Sequence, residues 1–257
     1  VLTFFKVLPA LAQHNEIWLV INLPSKTLEV VSGNVVIKEY PIAIGKPATP
    51  TPMGKFYIIN KEVNPVWYLP RVGEVVPSGP GNPLGYRWIG FLPMYGIHGT
   101  NAPWTIGLEV SNGCVRMHEE DVEELFDMVS HGTPVSVVYE RVRVRINVKG
   151  EVLVGIYPDV YGYGEIYLSE IFNKLSAFGL EGFVNKVDLE ELIANESDNQ
   201  VIAKLMNIKV NDKNLADRAV VSKGIIYVPV WAVASALNVD IGWDEQNKLV
   251  RGPKQSV

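Results

Sequence analysis

The chain is short of several things, and each scarcity excludes something. Among its 257 residues there is one cysteine, Cys114, so no disulfide forms within the chain and no multi-cysteine metal site can be built. The four histidines stand at 14, 98, 118 and 131, so nothing beyond residue 131 can hold a histidine-ligated metal. No apolar run reaches the ~18 residues that a membrane-spanning helix needs. Positive charge is not in excess either. The 23 basic and 28 acidic residues leave a formal net charge of −5, which excludes a global attraction to nucleic acid or anionic lipid. The deficit is local, because Glu119, Glu120, Asp121, Glu123, Glu124 and Asp127 crowd one short stretch that reads as a solvated helix face.

What remains is a folding composition: 47% of residues are hydrophobic and 20% charged. The length suits one large domain or two modest ones. The first residues, VLTFFKVLPALA, are strongly apolar and end in Ala10-Leu11-Ala12 before polar Gln13-His14-Asn15. Small residues at that spacing after an apolar stretch match a cleavage site, so residues 1–14 read as the remnant of an export signal or as a plain N-terminal edge. In an oxidising compartment a lone thiol is a liability unless it has a task.

β-Branched runs broken by Gly, Pro, Asn and Ser predict meandering antiparallel strands over Ile17–Ile21, Thr27–Val31 and Val35–Tyr40. Further strands are expected over Lys55–Asn60, Trp88–Leu92, Met94–Ile97 and Thr133–Tyr139. Residues 65–93 read as long surface loops around one of them. Val122, Leu125, Phe126 and Val129 recur at helical spacing behind an acidic start, predicting one helix from about His118 that Gly132 ends. Beyond Glu140 the pattern changes to a hairpin through Lys149-Gly150 and helices over Leu168–Phe178 and Leu189–Asn195. The polar stretch 196–204 marks a boundary before a small α+β module.

Cys114 sits in Ser111-Asn112-Gly113-Cys114, a polar, Gly-flanked turn ahead of the acidic helix, and His98 lies sixteen residues upstream in His98-Gly99-Thr100. A thiol attacks acyl groups as thiolate. At a reference pKa of about 8.5, roughly 3% is thiolate at pH 7. A neighbouring imidazole and a helix N-terminus would both raise that fraction. Gly113 would let the Gly113 and Cys114 amides face a developing oxyanion. Each residue also has an ordinary reading: a single Cys is usually a small buried hydrophobe, and a lone His a surface or core residue.

Several motifs then point the same way. Ile97-His98-Gly99-Thr100, Ile106-Gly107 and the SNGCVRM run from Ser111 to Met117 resemble the active-site signature of YkuD-type L,D-transpeptidase catalytic domains. Thr49–Phe56 and Gly81–Phe91 resemble flanking elements of the same family, so the resemblance covers about residues 16–140. It implies a mainly β catalytic domain, a YkuD-like β-sandwich with one main helix. It also implies Cys114 as nucleophile, His98 as proton acceptor and donor, Ser111 and Gly113 shaping the turn, and Arg116 beside the substrate. The implied partners are peptidoglycan stem peptides, with acylation by carbapenem β-lactams, an extracytoplasmic location, and no cofactor or metal. Where many members carry a second His before the Gly-Cys pair this chain has Asn112, which hydrogen-bonds but does not titrate. Gly99, Thr100, Asn112 and Trp104 complete the expected substrate contacts.

Gly224–Val250 resembles the small stalk-like domain named after the N-terminus of copper amine oxidases, although with no His or Cys there the name imports no copper. The expected organisation is a signal remnant over 1–14, the catalytic domain over 15–140, a connecting hairpin and helical region over 141–200, and the α+β module over 201–257. Other readings stay open. His118, four residues past Cys114, is a rival base if the helix began at the cysteine. His131 belongs at a helix C-terminus. Arg116 pairs with Glu119 or Glu120, or meets a substrate carboxylate. Trp67, Tyr68 and Trp88 wall a groove with Trp104, or belong to the core. Transfer to a stem amine, transfer to water as in an L,D-carboxypeptidase, and non-catalytic wall binding all fit the sequence.

Overall fold

The computed structural model describes residues 17–33, 35–68, 73–147, 149–244, 246 and 249–251, so the apolar stretch read as a signal remnant lies outside the described residues. In chain order come β1 (Ile17–Asn22), β2 (Thr27–Ser32), β3 (Val35–Pro41), β4 (Ile44–Gly45), β5 (Gly54–Tyr57), β6 (Asn60–Val63), β7 (Trp67–Tyr68) and β8 (Val75–Val76). They are followed by β9 (Arg87–Leu92), β10 (Tyr95–His98), β11 (Glu109–Ser111), β12 (Val115–Arg116), α1 (Glu119–Met128) and β13 (Pro134–Val138). The later elements are β14 (Val142–Ile146), β15 (Glu151–Ile156), α2 (Leu168–Ser176), α3 (Lys186–Ala194), β16 (Gln200–Val210), β17 (Lys213–Ser222), β18 (Ile225–Tyr227), α4 (Val230–Ala236), β19 (Gly242–Asp244) and β20 (Leu249–Arg251).

The period-2 alternation of the first strands has its expected result. Leu19 faces Val30 and Ile21 faces Leu28 across the antiparallel β1–β2 pair, and all four are fully buried. β1–β2–β3 is therefore the meander expected from the turns. The other edge of β1 pairs in parallel with β13, matching Leu19 to Val135 and Ile21 to Val137, and gives the sheet order β3-β2-β1-β13-β5. Antiparallel meandering thus holds only locally, because alternation within a strand cannot report a partner a hundred residues away. Asn22 closes that long-range pair, donating to Glu140 O at 3.0 Å and accepting from Glu140 N at 2.8 Å.

A second sheet runs β12-β10-β9-β6. The run expected as one strand over Lys55–Asn60 changes sheets at its middle. β5 belongs to the first sheet and β6 to the second, with Ile58 N–H donating to Thr133 O and Ile59 N–H to Gly90 O between them. One core joins the two sheets: Leu19, Ile21, Val135 and Val137 from the first, Ile89, Phe91, Ile97 and Val115 from the second, and Val122 and Leu125 from α1. Burying each such side chain stabilises the fold by about 1.5–3 kcal/mol. This is the expected β-sandwich with one main helix.

Both ends of α1 are electrostatically matched. Glu119, Glu120 and Asp121 fill its first turn. At its other end Lys61 Nζ donates to Phe126 O at 2.6 Å and to Val129 O at 2.7 Å, while lying 4.0 Å from the Phe126 ring centroid. The helix stops at Met128, with Val129 as its C-cap, rather than at Gly132. His131 and Gly132 form an exposed turn beyond it, so His131 is not the helix C-terminal residue expected.

The rest of the chain divides differently from the expected order. Among the described residues, 17–141 and 157–165 cluster as one compact unit, and 142–156 and 166–251 as another. β16 begins at Gln200, inside the stretch read as a boundary, and pairs with β15 on one side and β17 on the other. The polar residues that suggested a linker, Gln200 and Lys204, are the solvent-facing positions of that strand. The five-stranded sheet β14-β15-β16-β17-β18 packs Val152, Val154 and Ile156 against Ile171 and Leu175 of α2 and Leu189 of α3. Among the described residues no helix is long and apolar enough to cross a membrane.

Lys61→Met keeps the stem but removes the charge that caps α1. The urea midpoint is expected to fall by the equivalent of about 1–3 kcal/mol; an unchanged midpoint would show that the two carbonyls are equally well satisfied by water.

Candidate active site

The site is built on the pairing of β10 with β12. Their parallel register sets Ile97 against Val115 and His98 against Arg116. Ile97 and Val115 are fully buried in the sandwich core, so His98 and Arg116 point to the opposite face. On the other side β9 places Trp88 directly across from His98, and the two rings stack at 5.8 Å with 17° between their planes. Cys114 stands just before β12, where the Gly96 amide of β10 meets its sulfur and the Arg116 charge reaches it. One face thus carries Trp88, His98 and Arg116, and Trp88 is a wall of the histidine rather than of a separate groove.

The imidazole is held in a defined state. His98 is buried, and its Nδ1 lies 2.6 Å from Gly99 O, an acceptor that requires the Nδ1–H tautomer. Nε2 is left as a lone pair. Burial pushes the His98 pKa down to about 4, helped by the Arg116 charge and opposed by the Gly99 hydrogen bond. His98 is therefore a neutral base at neutral pH.

Cys114 differs from its sequence expectation. β12 and two further residues separate it from α1, so the thiol does not stand at a helix N-terminus. Burial pushes its pKa up, against the Gly96 amide and the Arg116 charge that pull it down. The thiol donates to Met94 O at 3.6 Å. The resting pair is thus a neutral thiol and a neutral imidazole.

The turn before Cys114 is tied internally. Ser111 Oγ donates to Cys114 O at 2.5 Å and accepts from Gly113 N at 3.0 Å. Gly113 is therefore a turn residue whose amide is already occupied, not the oxyanion donor expected of it. Its φ of 111° and the Tyr95 ring, which would lie 2.5 Å from any Cβ, restrict this position to glycine.

The remaining predicted residues separate into two groups. Gly99 and Thr100 serve the scaffold. Gly99 supplies the carbonyl that orients His98, and buried Thr100 donates its amide to Glu119 Oε1 at 2.6 Å. Asn112 and Trp104 are exposed, Trp104 in a short 3-10 turn over Pro103–Thr105, where neither belongs to the core. Tyr68 is likewise exposed, and Trp67 pairs within the β7–β8 ribbon.

Arg116 does not pair with Glu119 or Glu120. Its backbone bridges to Ala43 in both directions at 2.9 Å, and its buried Nε has no hydrogen-bond partner. Glu119 is instead committed to the Thr100 and Tyr86 amides, the latter at 3.1 Å. It clamps the end of β10 beyond His98, a role hidden in the sequence by its place in an acidic run. His118 is the residue before α1 and makes no side-chain capping bond, so the premise of a helix shared with Cys114 fails. Among the described residues no three or more His, Cys, Asp or Glu side chains gather in a way that could hold a metal ion.

With this geometry established, comparisons with known proteins are informative. Residues 16–137 match the YkuD model, described as an L,D-transpeptidase catalytic domain. The Putative L,D-transpeptidase YkuD of Bacillus subtilis is 44% identical over 118 residues, covering 46% of this chain and 63% of that protein. The Putative L,D-transpeptidase YqjB of the same organism is 40% identical over 124 residues, covering 46% of this chain and 69% of that protein. The NMR structure of the catalytic domain of an E. faecium L,D-transpeptidase is 30% identical, covering 49% of this chain and 100% of that one, with a TM-score of 0.41. The chain spans just under two thirds of the length of the first of these relatives.

The protonation states carry a test. Alkylation of Cys114 by iodoacetamide is expected to keep accelerating above pH 8, with no plateau around neutrality, because the free thiol stays protonated. A plateau already reached near pH 6–7 would mean a resting thiolate–imidazolium pair. The His98 shift also has a sign. Its folded pKa lies below the unfolded value, so its contribution is whole above about pH 6.5 and is lost as pH falls towards 4, a loss on the order of 3 kcal/mol. His98→Gln is expected to lose less stability than the parent between pH 7 and 4.5 in urea titrations.

Proposed function

The chain belongs to the YkuD family of L,D-transpeptidase catalytic domains, and from that membership we propose that it joins peptidoglycan stem peptides by acyl transfer through Cys114. The observation that supports the proposal is the grouping of a neutral base, a thiol and a guanidinium whose buried Nε lacks a partner around the β10–β12 pairing. The stem-peptide substrate itself follows from the family.

In the first step His98 Nε2 takes the Cys114 proton as Sγ attacks the carbonyl between the L-centre of a diamino acid and a terminal D-residue. The C–N bond then breaks and His98 returns the proton to the departing amine. Because the Nδ1–H is already held by Gly99 O, Nε2 is the nitrogen that exchanges it. The carboxylate of the departing D-residue meets Arg116, whose half-buried guanidinium has no carboxylate of its own. In the second step a side-chain amine of another stem gives its proton to His98 and attacks the thioester, the C–S bond breaks, and His98 passes the proton to Cys114 Sγ. The Gly113 amide is occupied, so Cys114 N–H is the turn amide proposed to meet the oxyanion.

Such an enzyme works outside the cytoplasm, in the cell envelope, and carbapenems such as imipenem are expected to acylate Cys114. Nothing in this chemistry requires a cofactor. The C-terminal unit, whose Gly224–Val250 stretch resembles the copper amine oxidase stalk domain, contains no His or Cys and is proposed as a non-catalytic module.

Product analysis with a purified stem tetrapeptide tests the acceptor. Cross-linked dimers are expected; shortened monomers alone would make the protein an L,D-carboxypeptidase, and full turnover by Cys114→Ala would remove the nucleophile. Arg116→Ala is expected to raise KM for the tetrapeptide roughly 10- to 100-fold, the loss of a charge-assisted hydrogen bond. Arg116→Lys is expected to recover part of that. An unchanged KM would place the substrate carboxylate elsewhere.

A further inference from the structure

We propose that Tyr161, which lies beyond the stretch matched by the family model, is a positioning residue for the Cys114 turn. Residues 157–165 follow β15 in the chain yet cluster with residues 17–141. The segment is a tight structure of its own. Asp159 accepts from the Tyr163 and Gly164 amides at 2.8 Å each, and Tyr139 donates its hydroxyl to the same carboxylate. Arg141 Nη1 donates to Gly164 O at 2.6 Å, and Arg141 Nε to Tyr157 O at 3.0 Å. Tyr161 stacks on Tyr139 at 5.7 Å and meets Tyr163 edge-on at 5.6 Å, while its own amide donates to Tyr139 Oη at 2.9 Å. The ring is therefore fixed from behind before its hydroxyl reaches anything.

That hydroxyl closes the mouth of the loop over residues 45–51. It donates to Gly45 O at 2.7 Å and accepts from Thr51 N at 3.3 Å, and the two loop ends are also joined by Gly45 N–H donating to Thr51 Oγ1 at 2.9 Å. The loop in turn holds the nucleophile's turn. Gly45 is paired with Ser111. Lys46 N–H donates to Ser111 O at 3.1 Å and Thr49 Oγ1 to the same carbonyl at 3.2 Å. Ser111 Oγ then bonds both Gly113 and Cys114. Pro50 O lies 3.4 Å from where a Gly113 Cβ would stand. Tyr161 thus reaches Cys114 through three successive sets of hydrogen bonds, on a short turn whose misplacement by an ångström costs reaction rate directly.

This inference rests on Cys114 being the acylated group, and its test separates the two claims. Tyr161→Phe removes the hydroxyl and keeps the ring stack. Single-turnover acylation by imipenem, intact melting and peptide-level hydrogen exchange are measured on the parent, Tyr161→Phe and Tyr163→Phe, the last retaining the aromatic cluster without a bond to the loop. Tyr161→Phe is expected to melt within about 3 °C of the parent. Its maximal acylation rate is expected to fall about tenfold with the half-saturating imipenem concentration unchanged. Peptides covering 43–52 and 108–117 are expected to exchange faster, and Tyr163→Phe to match the parent. A parental acylation rate in Tyr161→Phe, or an equal slowing in Tyr163→Phe, overturns the proposal. If imipenem fails to acylate even the parent, the acylation reading fails, and exchange still decides the bracing: unchanged exchange in both peptides overturns it and faster exchange upholds it.

Discussion

The site depends on one short parallel pairing, two residues of β10 against two of β12. Because successive side chains on a strand alternate, that register sends Ile97 and Val115 into the core and His98 and Arg116 to the other side. A slip by one residue would turn His98 into the sandwich core and the core residues out of it. So short a ladder cannot hold its own register, and the surroundings hold it instead. Glu119 clamps the residues after His98, the Arg116–Ala43 bridge secures the far edge of β12, and Trp88 backs the imidazole. The sandwich core, with α1 fastened at both ends, makes those clamps rigid.

The same burial that fixes the geometry sets the chemistry. Desolvation disfavours charge on both partners, lowering the His98 pKa and raising that of Cys114, so the resting site is uncharged except for Arg116. In the proposed mechanism, proton transfer from thiol to imidazole then accompanies attack instead of preceding it. In that mechanism, a neutral site beside the Arg116 guanidinium suits a substrate that brings its own carboxylate, as a peptide ending in a free D-residue does. The unpaired Nε of Arg116 is the cost the fold carries for keeping that cation available.

Local features were legible in the sequence because their causes are local. The first three strands, α1 and the β14–β15 hairpin follow from alternation, helical spacing and turn residues, whereas Cys114 and His98 stood out only once the surrounding motifs were read as a family resemblance. Features caused by distant residues were not. Parallel pairing of β1 with β13 joins the ends of the sandwich, and nothing in either strand names the other. Glu119 looked like one acid among six, and only the folded chain brings the Thr100 and Tyr86 amides to it. Polar residues over 196–204 resembled a linker because a loop runs to Asn199 and the strand that follows it opens with solvent-facing Gln200 and Lys204. Tyr161 carried no signal, since its partners Gly45 and Thr51 lie more than a hundred residues upstream.

The most direct test of the Cys114–His98 assignment is single-turnover acylation by a stem tetrapeptide, read as intact mass with the adduct localised by peptide mapping. The parent and His118→Gln should each accumulate one acyl group on Cys114, and His98→Gln should accumulate little or none. Normal acylation of His98→Gln alongside an inactive His118→Gln would move the base to His118 and contradict the account.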